Sequence, residues 1–450
     1  MTSKKILPAN RLSSVSEYYF STKLKEVAEM NARGENVISL GVGSPDLPPS
    51  EETVETLAQT ARDANAHGYQ PYIGIPELRK SFADFYKRWF DVTLNPANEI
   101  QPLIGSKEGI LHISLAFLNV GDAVLVPNPG YPTYASVSKL VEAEIINYDL
   151  LETNGWQPDF EALEKLDLSR VKLMWVNYPN MPTGAPATRE LYEKLVDFGR
   201  RHNIVIVNDN PYSFILQEPR AKNQEPRQDN PTAGAGLQPV LDPQSPENNP
   251  ASSLVQVCNL DENNQAQVTN LRQQSCSYFL SILQIEGAKD ICIELNSMSK
   301  SHNMPGWRMG MLASNAQFVE WVLKVKSNID SGQFRPMQLA AVAAMQNLDE
   351  WHSENNYNLY KKRRKIGEQI METLGCSFDP QQTGMFLWGK IPEKYSNACE
   401  LADHILYNAR VFVVPGSVFG TNGERYVRIS LCTNEEKLQE ALKRCDDVMM

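Results

Sequence analysis

Short apolar, β-branched runs that alternate with helix-period stretches narrow the fold of this chain more than any other feature. Residues 123–126 (Ala-Val-Leu-Val), 171–176 (Val-Lys-Leu-Met-Trp-Val), 204–207 (Ile-Val-Ile-Val) and 291–295 (Ile-Cys-Ile-Glu-Leu) read as strands, and 188–202 reads as an amphipathic helix between two of them. Strands this continuously apolar must be covered on both faces, which a parallel sheet with crossover helices provides. The expectation is therefore an α/β fold with a mostly parallel central sheet covered by helices. Ligands of such sheets collect at the carboxyl ends of the strands, so the chemistry should follow these runs in sequence. The last portion changes character: 360–374 reads as a helix, 384–388 and 426–431 as strands, and 435–449 as a closing helix. With the chain start it makes a smaller α/β domain, so the expected division is 1–48 and 326–450 in the small domain and 49–325 in the large one.

One stretch stands outside this pattern. Residues 221–277 are rich in Gln, Asn, Pro and Ser, and Gln-Glu-Pro-Arg occurs at 217–220 and again at 224–227. Such a composition buries too little apolar surface to offset its ordering entropy, so a low-complexity surface insertion is expected. The net charge of −11 argues against nucleic acid and against anionic membrane surfaces as partners. Seven cysteines without a Cys-x-x-Cys pair and six scattered histidines offer no metal-ligand spacing, so no metal is expected. Residues 1–10 lack an apolar leader core, and no run of about 18 apolar residues occurs, which points to a cytoplasmic protein that does not span a membrane.

Chemistry-bearing strings follow the strand-like runs. Asn296-Ser297-Met298-Ser299-Lys300 sets an amine among hydroxyls, with Arg308 eight residues beyond Lys300. Hydroxyls and a guanidinium fork suit a phosphate, and a lysine amine can condense with an aldehyde, the pair of groups carried by pyridoxal phosphate (PLP). Gly105-Ser106-Lys107-Glu108-Gly109 precedes an apolar-periodic stretch and puts free backbone N–H groups at a helix start, where an anion fits. Pro127-Asn128-Pro129-Gly130-Tyr131-Pro132-Thr133-Tyr134 is a proline-restricted loop that can hold an aromatic ring in place. Asn177-Tyr178-Pro179-Asn180-Met181-Pro182-Thr183-Gly184 and Asp209-Asn210-Pro211-Tyr212 follow two further strands.

In this order the strings resemble those of the class I and II aminotransferases, fold type I PLP enzymes. Ser-x-Ser-Lys with its arginine is the family's lysine motif, and the 177–184 string resembles Asn-Pro-x-Asn-Pro-Thr-Gly, departing at Tyr178 and Met181. The resemblance implies that Lys300 is catalytic and carries the cofactor. It implies phosphate contacts from the amides of Ser106 and Lys107 and from Ser297, Ser299 and Arg308, stacking by Tyr131, donors to the ring oxygen from Asn180 and Tyr212, and a carboxylate, Asp209, at the ring nitrogen. Such a carboxylate keeps the ring protonated and hence a strong electron sink. Tyr69, with Tyr72 as second candidate, matches a tyrosine that reaches the phosphate in a neighbouring subunit, implying a homodimer. Arg428 matches the arginine that forks onto the substrate α-carboxylate, and Gly43 would let the backbone approach the substrate.

The branch most resembled contains alanine, LL-diaminopimelate and N-succinyl-diaminopimelate aminotransferases, partly through Asn328-Ile329-Asp330-Ser331-Gly332-Gln333-Phe334. Arg335 is either a reader of a distal carboxylate or an exposed arginine. The expected activity is transfer of an α-amino group between an amino acid and a 2-oxo acid in two half-reactions. A β-lyase or aminocyclopropane-type synthase shares these residues. A non-catalytic sensor of PLP or amino acids usually carries a fused DNA-binding segment, for which the N-terminus is too short.

Overall fold

The computed structural model describes residues 6–15, 19–218 and 279–449, so the stretch 221–277 lies outside the described residues. The strands are β1 (Ile38–Ser39), β2 (Ile100–Leu103), β3 (Ala123–Asn128), β4 (Glu144–Asp149), β5 (Val171–Val176), β6 (Val205–Asp209), β7 (Cys292–Ser297), β8 (Gly310–Ala313), β9 (Phe386–Lys390), β10 (Val411–Phe412), β11 (Val414–Pro415) and β12 (Tyr426–Ser430). Seven of them form one sheet in the order β2-β8-β7-β6-β5-β3-β4. Only β8 runs antiparallel to its neighbours there; the pairs β3–β4, β3–β5, β5–β6 and β6–β7 are parallel. The remaining strands form a β1–β10 pair and a three-stranded sheet β11-β12-β9.

β6 and β7 are buried along their whole length, and β3 and β5 are buried but for Asn128 and Lys172, because helices cover both faces. Val124, Leu173, Trp175, Val207, Ile293 and Leu295 join Ile110, Ile113 and Val322 from those helices in one apolar core. Each such side chain contributes roughly 1.5–3 kcal/mol on burial. The helix Arg189–His202 shows how the sequence sets its own ends. The Thr188 hydroxyl accepts from the Leu191 N–H at 3.1 Å, Arg200, Arg201 and His202 oppose the dipole in the last turn, and Asn203 closes it at φ 55°. Its buried face carries Leu191, Tyr192, Leu195 and Phe198. Glu294 on β7 is buried in the same layer, and its carboxylate accepts from Tyr86, Ser281, Asn208 and the Ile282 amide, the partners a buried acid requires.

The strands read from the sequence recur: 171–176 is unchanged, 123–126 gains two residues at its end, 204–207, 291–295 and 384–388 lie one or two residues further on, and 426–431 ends one residue earlier. Three strands of the seven-stranded sheet went unread, as did the two-residue strands β1, β10 and β11. β2 contains Pro102, β8 is only four residues long, and β4 lies at the sheet edge with Glu144, Asn147 and Asp149 exposed, so none shows a long apolar run. Among the described residues, no helix is long and apolar enough to cross a membrane.

Candidate active site

A cavity of about 510 Å³ opens where β3, β5, β6 and β7 end. β7 stops at Ser297, and the turn Met298–Ser301 carries Lys300 into the cavity. Ser297 Oγ accepts from the Ser299 N–H at 3.2 Å and donates to Ser299 Oγ at 2.9 Å, which stiffens this turn. The Lys300 amine donates to the Gly43 carbonyl. Burial pushes its pKa down; the Cys432 thiol acts in the opposite sense, while Arg428 and Arg308 add to the depression. An amine so placed is available as nucleophile and base.

One end of the cavity is built for an anion. The helix Ser106–Phe117 begins there, with Gly105 before it at φ +75°. The positive φ favours glycine at 105, and a Cβ there would displace the Arg308 guanidinium from its place against the turn. Arg308 itself sits at φ 55°, an unusual conformation for arginine, with Nη1 donating to the Pro305 carbonyl at 2.9 Å and lying 3.4 Å from Ser299 Oγ. The Lys107 pKa is lowered by burial and then by Arg308 beside it, a crowding of cations that an anion relieves.

Beneath this cradle lies a buried ionic cluster. Glu108 accepts from the Ile104 N–H, from His112 Nε2 at 2.5 Å and from the Lys326 amine at 2.8 Å; Lys326 also reaches Asp330 at 2.7 Å. Burial opposes ionisation of Glu108, yet its donors hold its carboxyl well below the usual range. Glu108, His112 and Asp330 are close enough to share a metal ion, but the Lys326 ammonium already bonds both carboxylates.

The opposite wall comes from β6 and β5. Asp209, last residue of β6, is buried and receives the Tyr134 phenol on Oδ2 at 3.0 Å, while Oδ1 is buried without a hydrogen-bond partner. Loss of solvation raises its pKa to about 6, against the bond from Tyr134. Tyr131 and Tyr212 line the same space, and burial raises the Tyr212 phenol strongly. Asn177, just after β5, donates to the Asp209 carbonyl and accepts from the Met181 N–H at 2.8 Å, tying the two loops together.

Ser106, Lys107, Tyr131, Asp209, Tyr212, Ser297, Ser299, Lys300, Arg308, Gly43 and Arg428 all line this cavity. Asn180 does not. Its amide donates one N–H to the Asn177 carbonyl at 3.1 Å and its oxygen accepts from the Thr183 hydroxyl at 2.7 Å, which fixes the side chain in its turn with a second N–H to spare. Asn177 and Met181 are the residues of that loop that line the cavity. Tyr69 also lies outside the cavity: it is 94% exposed, in a shallow pocket with Gln70, Tyr72 and Ser331. Arg335 makes a surface pair with Glu77 at 3.0 Å, which favours the exposed-arginine reading.

Arg428, on β12, enters the cavity with Nη2 bonded to the Gly41 carbonyl at 2.7 Å and Nη1 3.3 Å from Met181 Sδ. Its guanidinium carbon lies 4.0 Å from the centre of the Phe386 ring and 4.6 Å from that of Phe419. Tyr134, Met181, Asn177, Phe386 and Phe419 were not read as site residues from the sequence. For Tyr134 a signal existed: it stands three residues from Tyr131 in the same restricted loop and therefore on the same side of a helix start.

The family model for aminotransferase class I and II matches residues 35–232 and 264–445. The chain belongs to this family. The break between the two matched parts falls within the 221–277 stretch. An LL-diaminopimelate aminotransferase of Dehalococcoides mccartyi is 35% identical over 436 residues, 97% of each chain, and one of Aquifex aeolicus is 36% identical over 442 residues, 98% of this chain and 99% of the relative. Among solved structures, BacF of Bacillus subtilis with bound substrate has a TM-score of 0.81 at 30% identity, covering 98% of both chains. An aromatic aminotransferase of Pyrococcus horikoshii has a TM-score of 0.76 at 25% identity, covering 98% of this chain and 97% of its own. The chain is thus an aminotransferase with a fold type I architecture.

Proposed function

We propose that this aminotransferase binds PLP in the cavity and moves an α-amino group between an amino acid and a 2-oxo acid. One observation carries the cofactor reading: Oδ1 of Asp209 is buried without a partner in the cavity that holds the Lys300 amine. A ring N–H would satisfy that oxygen and, being cationic, would draw the raised Asp209 pKa back down. The anion cradle formed by the Gly105 turn and Arg308 fits a phosphate. When bound, PLP supplies an aldehyde that takes up the amino group and a protonated ring that withdraws electrons from the substrate α-carbon.

The chain supplies the rest. With PLP bound, Ser106, Lys107, Ser297, Ser299 and Arg308 would hold the phosphate, Tyr131 would pack on the ring, Asn180 and Tyr212 would donate to the ring oxygen, and Asp209 would accept from the ring nitrogen. Lys300, once free, takes and returns the α-proton. Arg428 forks onto the α-carboxylate beside Gly43, fixing which bond of the α-carbon is cleaved. A homodimer belongs to the same proposal: Tyr69 is nearly fully exposed, as a side chain that completes a partner's phosphate site would be in one subunit. So does the division into a large domain of 49–325, which holds the seven-stranded sheet, and a small one from the chain ends. Cytoplasmic action is supported by the five described cysteines, all free thiols.

The experiment is a half-reaction. Purified protein loaded with PLP and mixed with an amino acid, without acceptor, should convert to the pyridoxamine form and release one equivalent of 2-oxo acid. Release of ammonia and pyruvate with the cofactor unconverted would overturn the reading in favour of a lyase.

A further inference from the structure

The stretch from Leu40 to Asp46 is tied at both ends. At its start the Leu40 N–H donates to the Phe412 carbonyl at 2.8 Å, and the Leu40 carbonyl accepts from the Ser430 N–H at 2.7 Å. At its far end Asp46 receives both terminal nitrogens of Arg363, Nη1 on Oδ1 at 2.7 Å and Nη2 on Oδ2 at 2.9 Å. Arg363 belongs to the helix Leu359–Thr373, its side chain is only 2% exposed, and Nη1 also donates to the Leu431 carbonyl at 3.2 Å. A two-pronged pair with one partner buried holds a single geometry, unlike the exposed ion pairs of the surface.

Between these ties the stretch offers two carbonyls to groups of the cavity. Gly41 accepts from Arg428 Nη2 at 2.7 Å, and Gly43 accepts from the Lys300 amine. Glycine at 43 lets the Phe386 ring press on the backbone where a Cβ would collide with it, and the centre of the same ring lies 4.0 Å from the Arg428 guanidinium carbon. In the reading above, on which this inference rests, Arg428 takes the α-carboxylate and Lys300 moves the proton of the same α-carbon. The two groups must therefore keep one spacing, and carbonyls two residues apart on a single strap set it. An error of about 1 Å in such a spacing can cost about a hundredfold in rate.

We propose that Asp46 and Arg363 are positioning residues of amino transfer: their ion pair fixes the 40–46 strap and, through it, the distance between Lys300 and Arg428. Neither residue lines the cavity. A pair that only stabilised the fold would act on every part of the site alike, whereas a pair that holds this strap acts on Lys300 and spares Lys107 at the anion cradle.

The test uses the full chain and two variants. Asp46→Asn keeps an oxygen but loses the charge, and Arg363→Lys keeps the charge but cannot fork onto both oxygens, so one remains informative if the other folds poorly. In the cofactor-free protein, Lys300 and Lys107 are acetylated with acetic anhydride near neutral pH and the two labelled peptides are quantified by mass spectrometry. Losing the carbonyl that favours its ammonium form should make Lys300 react roughly threefold to tenfold faster relative to Lys107. In the PLP-loaded protein, the saturating half-reaction rate is measured with whichever standard amino acid, or LL-diaminopimelate, converts the parent fastest. It should fall by at least about tenfold, with PLP affinity unchanged. A parental labelling ratio overturns the proposal, and so does a parental rate. Lys300 and Lys107 rising together would also overturn it, since that is the mark of a general loosening. If no amino acid converted the parent's cofactor, the transaminase reading would fail, and the labelling ratio alone would decide whether the Asp46–Arg363 pair holds Lys300.

Discussion

Tyr134 donates its phenol to Oδ2 of Asp209 at 3.0 Å and leaves Oδ1 buried without a partner. The aspartate is thus oriented but only half satisfied. Burial dominates and lifts its pKa from 3.8 to about 6. The native cofactor-free protein therefore holds this proton more tightly than the unfolded chain does. By linkage its stability falls as pH rises from about 4 to about 6, and the loss persists above that window. Asp209→Asn keeps an oxygen for Tyr134 and carries no charge. In the cofactor-free state the variant should be more stable than the parent above pH 6, by up to about 3 kcal/mol, with the difference vanishing near pH 4. Urea unfolding at several pH values measures this, and a variant equally destabilised at all pH values would contradict it. With PLP the order should change, because only the carboxylate matches a cationic ring nitrogen.

The Lys300 link is tested chemically. Borohydride treatment of the PLP-loaded protein should fix the cofactor on the peptide that contains Lys300, and Lys300→Ala should retain non-covalent binding while losing the half-reaction by several orders of magnitude. Labelling at Lys107, whose pKa is also lowered within the cavity, would reassign the two amines.

Lys326 joins Glu108 and Asp330 beneath the anion cradle at 2.8 and 2.7 Å, and its own side chain is only 2% exposed. Lys326→Met would leave two facing carboxylates without their cation. The expected cost is about 3 kcal/mol in global stability. Glu108 also accepts from the Ile104 amide at the turn into Gly105, so the same change should weaken PLP binding. Chemical denaturation and a PLP titration check the two effects. A stable variant with parental cofactor affinity would show that the cluster does not hold the turn.

What the sequence disclosed follows from how each feature is encoded. The buried parallel strands were legible because covering both faces demands unbroken apolar runs such as 204–207, and site residues were legible where they directly follow such runs, as Asp209 does. β4 was not, since at the sheet edge exposed Glu144, Asn147 and Asp149 break its apolar residues into Ile145-Ile146 and Tyr148. The order of the motifs located the cavity, but which side of a loop faces inward was undetermined. In the 177–184 loop Asn177 and Met181 line the cavity, and nothing in the local sequence marks either for it. Tertiary pairs such as Tyr134 with Asp209, separated by 75 positions, and the packing of Arg428 against Phe386 and Phe419 leave no local trace.

Arg428 gives the last prediction. Its guanidinium packs against two aromatic rings, with Nη2 anchored on the Gly41 carbonyl, so the fork is fixed before substrate arrives. Lysine offers a point charge that cannot form two parallel bonds to a carboxylate, nor pack a planar group against Phe386 and Phe419. Arg428→Lys should therefore raise the apparent dissociation constant of amino acids and 2-oxo acids alike, by about tenfold to a hundredfold. PLP should stay bound, since Arg308 and the Gly105 turn lie at the other end of the cavity's chemistry. Single-turnover spectra with several amino acids would show the loss as a common factor. A loss confined to one substrate would make Arg428 a reader of side chains, and a loss of cofactor with substrate affinity retained would place it in the phosphate site.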